Sequence, residues 1–146
     1  MKGLKEIKAD YQLFLNSIPE YLNWATAYIT KTPISFSIAE IEKVHLYYEN
    51  NITTIEDKEH IKQVFIAYMG EAFIKYFGGN WELSTLKKDE AYGTPIILNW
   101  GNDGEPHGRL SPFVWTEIIR KRGSMERTVR MIFESSIKQF GIDKNI

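Results

Sequence analysis

Apolar residues along this chain recur mostly at helical spacing, interrupted by proline, glycine and capping residues. Leu4, Ile7, Tyr11, Phe14, Leu15 and Ile18 follow one another at three- and four-residue steps, which sets one face of a first helix against a core. Pro19 is expected to end that helix, because its ring removes a backbone donor and pushes Ile18 away from helical angles. Ser17, with Glu20 three residues on, then opens a second helix carrying Tyr21, Leu22, Ala25, Tyr28 and Ile29, closed by Thr32-Pro33. Ser37-Ile38-Ala39-Glu40 fits a capping box, so a third helix is expected to about Asn50 with Ile38, Ile41, Val44, His45 and Tyr48 on its apolar side. The longest helix starts near Thr54 and carries Ile61, Val64, Phe65, Tyr68, Met69, Ala72, Phe73, Tyr76 and Phe77 until Gly78-Gly79 stops it. Its length and apolar density predict that it is central to the core.

After Gly79 the period changes. Trp81-Glu82-Leu83-Ser84 alternates, and Pro95-Ile96-Ile97-Leu98-Asn99-Trp100 is a short apolar run, so two or three strands are expected here. Asn99 to Gly108 holds three glycines and a proline and reads as an exposed loop. Ser111-Pro112 opens a further helix that Gly123 ends, and Ser124 is placed to cap a last one carrying Met125, Val129, Ile132, Phe133, Ile137 and Phe140 up to Gly141. About 60% helix results, against the usual third. The fold class is α+β: a mainly helical single domain over residues 1–146, with a small antiparallel sheet at about residues 80–100 packed on helices. A helical half (1–79) and a strand-plus-helix half (80–146) share one core, and no internal repeat appears.

Composition narrows the chemistry. Eighteen Lys and Arg against nineteen Asp and Glu leave a net charge of −1, so no overall field gathers nucleic acid or anionic membrane. Nucleic acid is not the expected partner. The absence of cysteine removes thiol catalysis, disulfides and Cys-based zinc sites. The longest stretch free of charged residues, Ala91 to Asn102, is twelve residues, too short to span a bilayer. The N-terminal residues alternate charged with apolar side chains and lack the apolar run of a secretory signal, so a cytoplasmic location and no membrane partner are expected.

Few residues offer a reaction. His45 lies on an apolar helix face and reads as a hydrogen-bonded core residue, and His60 as part of a solvated turn. His107 sits beside Glu105 and Arg109 in the glycine-rich loop, a trio from which a general acid or base can be assembled. With Glu71 it forms the catalytic set of a rival reading, a small hydrolase. Gly70 inside the long helix costs about 1 kcal/mol relative to alanine, so a close approach of another backbone is expected there, and neighbouring Glu71 is expected to pair with an arginine. The Asn99–Gly104 stretch has a glycine at the sixth position of a calcium loop. It carries Gly101 at the third and Leu110 at the twelfth, where oxygen ligands are needed, and neither a phosphate cradle nor a nucleophile elbow occurs. No metal or cofactor is expected.

Charge and aromatic content point to a surface function instead. Residues 120–146 carry seven cations and three anions, leaving +4 there and −5 in the first 119 residues. Arg120, Arg122, Arg127 and Arg130, with Arg109 and Asp103 of the loop, are candidate partner contacts unless the arginines pair within the chain. Tryptophan and tyrosine supply twelve of the twenty aromatics, and Trp100 in its glycine-rich turn is the one expected to be exposed to a partner.

Tyr68-Met69-Gly70-Glu71, six residues, then Gly78-Gly79-Asn80-Trp81, followed by the apolar strand and the Pro112 helix, resembles a pattern in small uncharacterised bacterial domains. Similar domains occur among immunity proteins of bacterial toxin systems. The resemblance covers roughly residues 60–120 and implies a compact binder with no reaction of its own. The expectation is a non-catalytic protein-binding domain, of which an immunity-type toxin inhibitor is the concrete form. The small hydrolase and a self-associating structural protein are the alternatives.

Overall fold

A computed structural model describes residues 2–141 and is 60% helical, with five helices and a two-stranded antiparallel sheet around one core, an α+β architecture. Helix α1 (Leu4–Ala25) runs into a single π turn at Thr26–Thr30. There follow α2 (Ile38–Asn51), α3 (Lys58–Phe77), strands β1 (Asn80–Leu83) and β2 (Pro95–Leu98), α4 (Pro112–Arg122) and α5 (Val129–Phe140).

Pro19 does not divide the first segment; α1 continues through it. The ring lies exposed on the outer side, where a carbonyl deprived of its partner can bond to water. Ile7, Phe14, Ile18 and Ala25 bury the inner side on both flanks of the proline, and that packing outweighs the lost hydrogen bond. Lys31, with φ 60°, ends the π turn by returning its N–H to the Thr26 carbonyl at 3.0 Å.

Helix α3 is the axis of the molecule. Every residue from Val64 to Gly70 is buried, as expected of a helix enclosed on all sides, here by α1, α2, α4 and β2. It starts at Lys58, later than Thr54, because Asp57 supplies the cap: its Oδ1 accepts the His60 N–H at 3.0 Å. Likewise Thr128, not Ser124, caps α5. The intervening Met125 is pinned, its side chain buried and its N–H donated to Glu49 Oε1 at 3.2 Å, so a helix cannot begin there.

The strands pair Asn80 with Leu98 and Leu83 with Pro95, and Ile97 exchanges two 2.9 Å hydrogen bonds with Leu110 across the open edge of β2. Asn99, at φ 61°, stops β2 before Trp100. Phe73, Phe77 and Phe133, with Ile97 and Trp115, join residues from both parts of the chain into the main core. A smaller cluster of Phe14, Ile18, Ile66 and Ala67 seals α1 onto α3.

Candidate functional site

The motif around Gly70 proves to be a seat for an indole. A Cβ at Gly70 would come within 2.0 Å of the six-membered ring of Trp81, which folds back over α3 from β1. The Trp81 ring also meets Phe14 edge-on at 5.2 Å, and its Nε1–H donates to Glu71 Oε2 at 2.9 Å. The expected close backbone at Gly70 is therefore a side chain, and Glu71 bonds an indole where an arginine was expected. Gly78 (φ 74°) and Gly79 (φ 97°) make the turn that brings Trp81 back. A side chain at Gly79 would strike the Leu98 carbonyl at 2.7 Å.

The 99–110 loop is fastened by its own polar groups. His107 Nε2 lies 2.7 and 2.9 Å from the two carboxylate oxygens of Asp103. The imidazole stacks on Trp100 at 4.6 Å and meets Phe140 edge-on at 5.2 Å. Trp100 is accordingly half-buried, turned against Phe73 and Phe140, and its indole nitrogen is enclosed without a hydrogen-bond partner among the described residues. It is not the exposed anchor the turn suggested. Glu105 is exposed and contributes its backbone N–H to Asp103 Oδ1.

Arg109 leaves this loop altogether. Its Nε and a terminal nitrogen grip both oxygens of Asp89 at 3.0 and 2.7 Å. With the Ala91 N–H and the Ser84 hydroxyl also bonded to it, the Asp89 carboxyl is lowered to about 2, the Arg109 guanidinium being the largest cause. Of the four residues of the hydrolase reading, His107 sits on Asp103, Arg109 on Asp89 and Glu71 on Trp81, while the Glu105 side chain lies at the surface and its N–H joins the same Asp103.

The basic C-terminal segment is paired within the chain only in part. Arg120 bonds Glu117 at 3.0 Å, and Arg130 reaches Glu134 at 2.7 Å and Glu42 on α2 at 3.2 Å. Arg127 donates to the Ser135 hydroxyl. Among the described residues Arg122 is exposed and makes no hydrogen bond or ion pair, so of these arginines it is the one left uncommitted.

Two buried polar groups were only partly visible in the sequence. Ser37 caps α2 as expected, its Oγ accepting the Glu40 N–H at 3.1 Å. The Glu40 carboxylate does not return to Ser37. It accepts the N–H groups of Ser35 and Phe36 and, at 2.8 Å, the Tyr68 hydroxyl. Burial first, and then Glu40, raise the Tyr68 phenol well above the ordinary tyrosine range. Phe36 sits at φ 57°, and its carbonyl takes the Tyr76 hydroxyl at 2.7 Å, so the network clamps the segment before α2 onto α3. His45 is 1% exposed; its Nε2 lies 3.1 Å from Glu49 Oε2 but off the hydrogen-bonding direction, so it is a core histidine without the expected bond.

An aromatic face borders the core, its Tyr21, Trp24 and Tyr47 side chains packed against buried residues and partly open to solvent. Trp24 contacts Tyr28 at 4.8 Å, His60 at 5.3 Å and Tyr47 at 6.4 Å, and His60 meets Tyr21 at 5.8 Å. Tyr28 is 56% exposed, and the other four side chains are half-buried. The face joins α1, the π turn, α2 and the first turn of α3. Its sequence signal is the Tyr21, Trp24, Tyr28 stripe at helical spacing, of which the sequence reading assigned Tyr21 and Tyr28 to a core-facing side. Tyr21 also lines a groove of about 420 Å³ with Phe14, Ile66 and Phe113, and exposed Leu13 stands on the rim of that groove.

Among the described residues no helix is long and apolar enough to cross a membrane. No protein-family model, curated protein or solved structure matches the chain.

Proposed function

We propose that this chain is a non-catalytic protein-binding domain that docks through the aromatic face at Trp24, Tyr28, Tyr47 and His60, an immunity-type inhibitor of a bacterial toxin being its concrete form. The observation that carries the reading is that these rings meet one another at the edge of the core, with Tyr28 more than half exposed, while His107, Arg109 and Glu71 are each bound to a different residue. Tryptophan and tyrosine anchors dominate binding energy where they are packed and then desolvated by a partner. The −5 of residues 1–119 favours encounter with a basic target, since complementary potentials raise the association rate. A cytoplasmic location belongs to the same proposal.

The test is calorimetric titration of the purified chain with a secreted toxin encoded beside its gene. The expected result is a defined stoichiometry and at least about a tenfold loss of affinity in the W24A/Y28A double variant. Affinity unchanged by that substitution, or substrate turnover by the chain that His107→Ala abolishes, would overturn the proposal.

A further inference from the structure

A second concave feature lies between the end of α2, the start of α3 and α4, and shares Glu59 and Lys62 with the groove beside Tyr21. It has a volume of about 310 Å³, at the small end of the range for ligand pockets. Its floor is made by Tyr48, Thr116 and Ile119, all at most 3% exposed, and Ile52 forms one wall. Burial raises the Tyr48 phenol to about 12, so its hydroxyl stays protonated beside that of Thr116. At the mouth, two ion pairs cancel internally, Glu117 with Arg120 and Glu59 with Lys62, each at 3.0 Å.

Glu49, on the inner wall, is different. Its side chain is 11% exposed, and Oε1 holds the Met125 N–H. The basic group within ion-pair distance among the described residues is His45. Burial lowers the His45 pKa, with Glu49 and Glu42 opposing, while Arg130 of α5 is spent on Glu42 and α3 presents the Phe65 ring to the imidazole. At neutral pH that imidazole brings no positive charge. Lys58, at the rim, donates to the Ile55 carbonyl. The cleft therefore offers an apolar floor, two hydroxyls and one enclosed carboxylate with no Lys or Arg of the described residues within ion-pair distance, the Lys58 charge staying at the rim, and such a carboxylate gains from an incoming positive group.

We propose that this cleft is a binding site for a small apolar amine, its ammonium seated on Glu49 and its hydrocarbon or aromatic body lying on Ile52, Tyr48 and Ile119. Its recognition chemistry, a carboxylate beside an apolar floor, is distinct from the ring contacts of the aromatic face.

The experiment is an NMR titration of the whole chain at pH 7.5 with 2-phenylethylamine and, separately, with phenylacetate. Saturable shifts of the Tyr48, Ile52, Thr116 and Ile119 amides are expected with the amine, and binding at least about tenfold weaker with the acid, the factor expected for one charge-assisted contact. Glu49→Gln keeps an acceptor for Met125 and removes the charge, so it should abolish the preference while leaving the Met125 amide signal in place. Ile52→Trp, which fills the cleft without touching Glu49, should remove binding of both probes. Shifts that never saturate with the amine, equal binding of the two probes, or an undiminished amine preference in E49Q would overturn the assignment.

Discussion

Gly70 is where intrinsic propensity and packing pull in opposite directions. Alanine is favoured over glycine in a helix interior by about 1 kcal/mol, yet a methyl here would occupy the space of the Trp81 ring. Gly70→Ala is therefore expected to destabilise by about 1–3 kcal/mol in urea unfolding, the range for overpacking, whereas a gain in stability would mean the indole sits elsewhere. That a glycine inside the long helix needs a neighbour was legible from the sequence. Which neighbour was not, because Trp81 returns only through the turn at Gly78 and Gly79. Asp89 makes a second case. Its carboxyl is lowered to about 2, so between the ordinary carboxylate pKa and that value the unfolded chain holds a proton that the native one lacks. The stabilisation is complete above about pH 4 and is lost as pH falls through about 2, a loss of about 2 kcal/mol for a side chain only 14% exposed. Acid unfolding of Arg109→Gln should show a visibly flatter dependence over that range. Arg109 and Asp89 are twenty residues apart, on two loops, and no spacing rule links them; proximity in sequence drew Arg109 toward His107 instead.

At the scale of elements, local punctuation was read well and long-range packing was not. Ser111-Pro112 and Gly123 bound α4 as expected, and Gly141 closes α5, because caps and left-handed stops are set by the residues themselves. Pro19 is the counterexample, since the decision to continue α1 lies in the burial of Phe14, Ile18 and Ala25 against other parts of the fold. If α1 is one helix, Pro19→Ala restores a missing backbone hydrogen bond at an exposed position and should stabilise by about 1–3 kcal/mol. If the chain broke at Pro19, thermal unfolding of the variant would shift little or downward. The same blindness to packing displaced the start of α5, where Met125 is taken by Glu49 of α2, 76 residues earlier.

For the whole molecule, the α+β class and the central position of the long helix were both open to a reading of period and composition. The aromatic face proposed for docking was not, because sequence gives residue type without side-chain partner. Trp100 looked exposed in its glycine-rich turn and is folded over His107, while Trp24, expected with most tryptophans at the core boundary, lies there and forms part of the aromatic face. Charge asymmetry survives folding in a muted form, since Arg120 and Arg130 are each matched by carboxylates of the same chain. In the proposed binding mode aromatic contact at one face therefore comes first, with steering by charge in second place. Hydroxyl-radical footprinting of the chain, alone and saturated with its protein partner, reads that face directly. Protection of Tyr21, Trp24, Tyr28, Tyr47 and His60 is the predicted result, and protection centred on the 99–109 loop or on Arg120 to Arg130, with those five side chains unchanged, would contradict it.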